Sequence, residues 1–86
     1  MSRVKLVYFA WVRERVGIPE EEVDLPPGIE TVADLVRWLK TRGEEYEYAF
    51  EAGDVVRAAI DRAHARPDAA LAGAREVAFF PPMTGG

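Results

Sequence analysis

The two most apolar segments of this chain lie at its two ends, and they constrain the fold more than any other feature. Residues 4–9 (VKLVYF) and 75–80 (REVAFF) are rich in β-branched and aromatic residues, so each is predicted to form a strand. Strands this apolar suit the central positions of a small sheet. If they are parallel neighbours, a right-handed crossover carries the chain between them onto one face. An α+β fold with a mixed sheet and one main helix is therefore predicted.

The strongest helical pattern follows a Pro-Pro-Gly break in the middle of the chain. The segment TVADLVRWLKTRG has an apolar stripe with spacing i, i+3, i+4 and i+7, formed by Val32, Leu35, Val36 and Leu39. Thr31 is predicted to cap this helix, with Asp34 close to a capping-box position. Gly43 is predicted to end it in the left-handed conformation.

Weaker patterns divide the remainder of the chain. Before the main helix they predict a helical turn over 10–16, ended by Gly17, and an edge strand over 21–25. After it they predict a short helix or loop over 44–54 and a strand over 55–61, with Val56, Ala58 and Ile60 on one face. A loop is predicted over 64–74. The element order fits the β-grasp, or ubiquitin-like, fold as one option among small α+β folds. Residues 1–81 are predicted to form this domain, and residues 82–86 a flexible tail.

Composition limits the classes of protein to which the chain can belong. Its 86 residues suffice for one small core, and the absence of cysteine excludes disulfide scaffolds and thiol nucleophiles. A net charge of −4 with scattered arginines disfavours binding to nucleic acid. No stretch approaches the roughly 18 uncharged residues of a membrane span. The expectation is a soluble cytoplasmic domain with protein or small-molecule partners and without nucleic-acid or membrane binding.

Few residues could carry catalysis or hold a cofactor. His64 is the only histidine and is predicted to be a solvated loop residue, while Ser2 is the only serine. A hydroxyl–imidazole pair or a metal site is therefore not expected. No GxxxxGK[ST] or GxGxxG motif is present, and no bound cofactor is expected. The abundant carboxylates are interpreted as solvated surface groups.

The last six residues, PPMTGG, are not explained by folding. Pro81 and Pro82 cannot donate hydrogen bonds to a neighbouring strand, so they stop the strand and stiffen its exit. Met83 and Thr84 then lead into two glycines, residues 85 and 86, which lack side chains. Such a tail can enter a channel too narrow for residues with a Cβ atom. An ordinary frayed terminus is the simpler alternative.

The tail EVAFFPPMTGG, together with VYFAWVRERVG near the N-terminus, closely resembles the small subunits of molybdopterin synthase. These are the MoaD family of ubiquitin-like sulfur carriers in molybdenum-cofactor biosynthesis. The resemblance spans the whole chain, and its last eleven residues are the most specific part. It implies that the carboxylate of Gly86 is adenylated by an ATP-using adenylyltransferase and then converted to a thiocarboxylate.

The resemblance also implies the partners and the residues that meet them. The tail, with Gly85, Thr84 and Met83, would enter the large synthase subunit, and two carriers in a heterotetramer would donate two sulfurs to precursor Z. Phe80, with Phe9 beside it, would form a docking surface on the open face of the sheet. Arg13 matches the arginine of the family's VRE turn. The alternatives are that Phe80 belongs to the core and that Arg13 forms a surface ion pair with a nearby glutamate.

Two departures from the family pattern leave loop geometry open. The stretch AGARE stands where a Gly-Asp turn is frequent, and the strand before it ends in IDR, where an amide-containing pair is common.

Three other functions stay open: a thiamine-pathway sulfur carrier, a ubiquitin-like modifier joined through Gly86 to protein lysines, and an interaction module whose tail is incidental. The acceptor discriminates between them, since a carrier gives sulfur to a small molecule and a modifier is joined to an amine.

Overall fold

A computed structural model describes residues 2–51 and 55–82. Its strands are β1 (Ser2–Tyr8), β2 (Glu20–Leu25), β3 (Arg57–Ile60), β4 (Ala63–Ala65) and β5 (Glu76–Phe80). Its helices are α1 (Ala10–Val16), α2 (Val32–Lys40) and α3 (Glu44–Ala49). The described strands form one sheet in the order β2-β1-β5-β3-β4.

The two apolar end segments are the central parallel pair, as predicted. β1 and β5 are parallel neighbours, with Leu6 opposite Val77 and Tyr8 opposite Phe79, whereas the other pairings are antiparallel. Alternate residues of these strands enter one core beneath the helices. The α+β prediction with a mixed sheet and the main helix on one face is therefore confirmed.

Helix α2 begins as the sequence predicts and ends differently. Thr31 Oγ1 accepts the Asp34 backbone N–H at 3.1 Å, and the Asp34 carboxylate accepts the Thr31 N–H at 3.1 Å, completing a capping box. The prediction for Gly43 is wrong, because the helix stops at Lys40 with Thr41 at its C-cap and Gly43 is extended, with φ 164°. The carbonyl of Gly43 instead accepts the backbone N–H groups of Tyr46 and Glu47 in α3. The chain thus turns directly from one helix into the next.

The region after β3 also differs from its prediction. The expected strand over 55–61 is shorter, because Asp61 and Arg62 form a two-residue turn with φ values of 48° and 74°. Positive φ at both central residues is the pattern of a type I′ hairpin turn. Residues 63–65 form β4, although the loop was predicted to start at residue 64, and His64 is therefore a strand residue paired with Ala59. Asp61 suits the first position of such a turn, but Arg62 occupies the second, where glycine is usual, so the sequence signal was incomplete.

Candidate functional site

The face of the sheet turned away from the helices has a shallow apolar floor. Cross-strand pairs run in one row from Val7 to Ala78, then to Ala59 and then to His64. Paired residues project from the same face of a sheet, so this row lies opposite the core. Because its two middle members are alanines, the floor forms a depression of about 500 Å³. This surface is called the open face below.

Two phenylalanines and the imidazole ring stand around this floor. Phe80 is half-buried, and its ring packs edge-to-face on His64 with centroids 5.5 Å apart. Phe9 is 48% exposed, and its backbone N–H donates to the Phe79 carbonyl at 3.0 Å, which fixes it beside the end of β5. Phe79 points the other way into the core, with 1% of its surface exposed. The alternative that Phe80 is a core residue is therefore wrong.

Charged side chains of both signs surround the apolar centre. They are Lys5, Glu20, Arg62 and Glu76. Lys5 Nζ lies 3.2 Å from the Glu20 carboxylate, so these two charges offset each other. An apolar centre with a polar rim is the usual organisation of a protein–protein interface. The open face is therefore suited to bind another protein surface.

The Asp61–Arg62 turn fixes the edge of the open face to β5. The Asp61 carboxylate accepts the backbone N–H groups of Arg75 and Glu76, both at 3.0 Å, and its own N–H donates to the Glu76 carbonyl at 2.9 Å. These bonds fix the start of β5 and hold Arg62 at the rim. The loop that departs from the family pattern thus has a defined geometry of its own.

A hydrogen-bonded carboxylate on the helical side supports the end of β1 from which Phe9 projects. Glu21 Oε2 accepts the Tyr8 hydroxyl at 2.7 Å and the Tyr46 hydroxyl at 2.6 Å, while Arg42 donates to Oε1 at 3.1 Å. Burial alone would raise the pKa of Glu21, but the two hydroxyls and Arg42 together lower it below its ordinary value. Burial and the Glu21 carboxylate raise the pKa of Tyr46 to about 12, and they raise that of Tyr8 further. The cluster therefore ties α3 and β2 to β1.

Arg13 lies apart from the open face. It is an exposed residue of α1 that borders a separate depression with Gly17, Ile18 and Pro19. Within residues 2–51 and 55–82 it forms no ion pair, so the alternative of a surface pair with a glutamate there is not supported. The structure thus brings Phe9 and Phe80 together and leaves Arg13 elsewhere.

The exit of β5 leads from the open face towards the tail. β5 ends at Phe80, and Pro81 and Pro82 follow it. Met83, Thr84, Gly85 and Gly86, the predicted reactive tail, lie outside the described residues. In the described part of the chain no three histidine, aspartate or glutamate side chains are arranged to hold a metal ion, and none of its helices is long and apolar enough to cross a membrane.

Comparisons with known proteins agree on the family. The ThiS family model matches residues 6–86. The molybdopterin synthase sulfur carrier subunit of Escherichia coli is 38% identical over 85 residues, which cover 96% of this chain and 99% of that protein. The match therefore extends over nearly the full length of both proteins.

Two solved structures have the same fold. A Pyrococcus furiosus protein, provisionally described as molybdopterin converting factor subunit 1, is 29% identical with a TM-score of 0.72, covering 96% of this chain and all of that one. SAMP1, the small archaeal modifier protein 1 of Haloferax volcanii, is 26% identical with a TM-score of 0.72, covering 99% of this chain and all of that one. The chain therefore belongs to the ThiS family of ubiquitin-like β-grasp proteins, among which the molybdopterin synthase sulfur carrier subunits are its relatives.

Proposed function

We propose that this protein is the sulfur carrier subunit of a molybdopterin synthase and that it carries sulfur on the carboxyl group of Gly86. The observation that carries the proposal is the 38% identity to such a subunit over 99% of that protein's length. The family match also extends through residue 86, so it includes the glycine pair. Gly86, Gly85, Thr84 and Met83 are the proposed tail.

The chemistry proceeds in two steps that activate an otherwise poor electrophile. An adenylyltransferase partner brings the Gly86 carboxylate to the α-phosphorus of ATP, and pyrophosphate leaves. A sulfur donor at the hydrosulfide oxidation level then attacks the acyl carbon, and AMP leaves with the bonding electron pair. The product is a C-terminal thiocarboxylate, which donates its sulfur to precursor Z. Two residues without side chains let the backbone approach the reacting centre, where orientation lowers the barrier.

The large synthase subunit is proposed to bind the open face. Phe9 and Phe80 supply exposed aromatic surface around a floor of small residues, and such residues frequently dominate binding energy. Because Phe80 is followed directly by the two prolines, a partner seated on this face lies next to the start of the tail. Two carriers on a dimer of large subunits would give the expected heterotetramer. Arg13 is proposed as a second, separate contact.

Intact-mass measurement tests the covalent chemistry. The chain is incubated with ATP, the adenylyltransferase and a sulfide source, and the expected mass change corresponds to one oxygen replaced by sulfur. The matched control lacks only Gly86 and should stay unmodified. An unchanged mass for the full chain, with the same enzyme active on another carrier, would contradict the proposal.

Binding to the large subunit tests the docking surface separately. Phe80→Ala and Phe9→Ala should each weaken the affinity by about tenfold or more, as expected for aromatic residues central to an interface. Tyr48→Ala is the matched control, because Tyr48 is 52% exposed on α3, in the layer on the other side of the sheet. Equal affinities for all three variants would exclude the open face as the docking surface.

A ubiquitin-like modifier is the second candidate, favoured by the structural similarity to SAMP1 of Haloferax volcanii. In that case the activated carboxyl of Gly86 would form an amide bond with a lysine of a target protein. Peptide mapping for a glycyl-lysine branch distinguishes this outcome from sulfur transfer. A thiamine-pathway carrier would pass sulfur to a different small molecule, so the acceptor distinguishes it as well. The cytoplasmic location stays a prediction.

A further inference from the structure

We propose that His64 is a partner-contact residue of the open face and that its protonation weakens docking. This inference rests on the proposed function, because it assumes that the large subunit binds this face. It adds an imidazole to the apolar centre of the proposed interface, and it therefore predicts an affinity that falls as the solution is acidified.

The position of His64 follows from the register of β3 and β4. His64 pairs with Ala59, which pairs with Ala78, so its imidazole lies on the same face as the apolar floor. Ala59 lies on β3, between β4 and β5, and its side chain is only a Cβ atom. The imidazole can therefore reach across it to the Phe80 ring, with the ring centroids 5.5 Å apart. A surface covering Phe80 therefore covers His64 as well.

Burial by a partner would act differently on the two protonation states. In the free chain His64 is exposed, so water solvates both the neutral and the charged ring. A partner seated over Phe80 removes that water, and losing hydration is costly for an imidazolium and cheap for a neutral imidazole. An ordinary imidazole changes charge near pH 6.5, so mild acidification produces the costly form.

The fixed charges around His64 do not offer a compensating partner. The strand register and the lining of the depression place eight charged groups on or beside this face: Arg3 and Lys5 on β1, Glu20, Glu22 and Asp24 on β2, Arg57 on β3, Arg62 in the turn and Glu76 on β5. Arg3 and Lys5 pair with the three carboxylates of β2, at the sheet edge opposite β4, which leaves two arginines and one glutamate nearer to His64. Within the described residues no carboxylate forms an ion pair with His64. A protonated ring would thus enter a mildly positive surrounding.

The test is a titration of the full chain against the purified large subunit at about pH 8 and at about pH 5.5, which bracket imidazole titration. Wild-type affinity is expected to fall by about five- to tenfold at the lower pH, because the imidazolium loses favourable hydration on docking and the neutral ring loses little. His64→Gln keeps a polar, uncharged side chain and should lose this dependence. Any pH effect from the partner's own groups persists in that variant and is subtracted.

The outcomes separate the two proposals. The role of His64 is overturned if the wild type binds with equal affinity at about pH 8 and about pH 5.5. It is also overturned if the His64→Gln variant shows the same pH effect as the wild type. Either result leaves the docking surface intact. No binding at either pH overturns both. Urea unfolding of the variant at both pH values verifies that it is folded, and Phe80→Ala, which removes the stacking partner, should weaken docking at both.

Discussion

Replacing Glu21 by glutamine should destabilise the fold far more than the same change one residue later. Glu21 is only 15% exposed and holds two tyrosine hydroxyls on one oxygen, with Arg42 on the other. Its neighbour Glu22 forms an ion pair with Arg3 at 3.0 Å, but both side chains are more than half exposed. The two positions therefore offer a matched pair within β2.

The expected magnitude follows from the bonds that the glutamine weakens. A hydrogen bond to a charged group contributes about 1.5–3 kcal/mol, against about 1 kcal/mol for a neutral pair. The glutamine carbonyl still accepts from the tyrosines, but its amide group faces Arg42 with a donor instead of an acceptor. A loss of about 2 kcal/mol is expected for Glu21→Gln, and about 0–1 kcal/mol for Glu22→Gln, as for exposed ion pairs.

Urea unfolding followed by circular dichroism measures both variants at neutral pH. With a denaturant dependence of roughly 1 kcal/mol per molar urea for a chain of this size, the Glu21 variant should lose roughly 2 M in its midpoint. If the two variants unfold within roughly 0.5 M of each other, the cluster does not stabilise the fold as argued. The double variant Glu21→Gln, Tyr46→Phe should lose less stability than the sum of the two single changes, because Glu21→Gln weakens the hydrogen bond that Tyr46→Phe removes.

Three further predictions concern pH, packing and the turn. Because the pKa of Glu21 is lowered in the folded state, its contribution to stability is present above the ordinary pKa of 4.5 and is lost as the pH falls below it, so the stabilities of Glu21→Gln and wild type should converge in acid. Because the pKa of Tyr46 is raised to about 12 in the folded state, the stability of the wild type should fall as the pH rises above 10. Phe79→Ala should lower the free energy of unfolding by about 3–5 kcal/mol and Phe80→Ala by clearly less, because only the former is fully buried; equal losses in urea unfolding would contradict this. Arg62→Gly should raise the free energy of unfolding by about 0.5–1 kcal/mol, because glycine adopts the φ of 74° without strain. The urea midpoint should rise accordingly, and a lower midpoint would show that the turn is not strained.

Periodicity in the sequence sufficed to predict most of the framework. The apolar segments at the ends of the chain predicted the central strand pair, and the apolar stripe of α2 predicted the helix that covers it. Both predictions succeed because residues that are buried must be apolar, and their spacing follows the period of the strand or helix. Thr31 and Asp34 predicted the capping box, since that bonding is local along the chain. Because adjacent residues of a strand project from opposite faces, the strand predicted over REVAFF separates Phe79 from Phe80, and the structure shows that Phe79 is the buried one.

The tertiary structure alone decided what lies on the open face. His64 was predicted in a loop because a three-residue strand leaves almost no periodic signal, and its place is set by pairing with β3. Gly43 is extended and not left-handed, because the chain enters α3 directly. Arg62 has a positive φ, which is unusual for a residue other than glycine, because Asp61 anchors the turn to β5. Local pattern determines which residues are buried, whereas the neighbours of a surface residue depend on contacts between segments distant in sequence, which no single segment encodes.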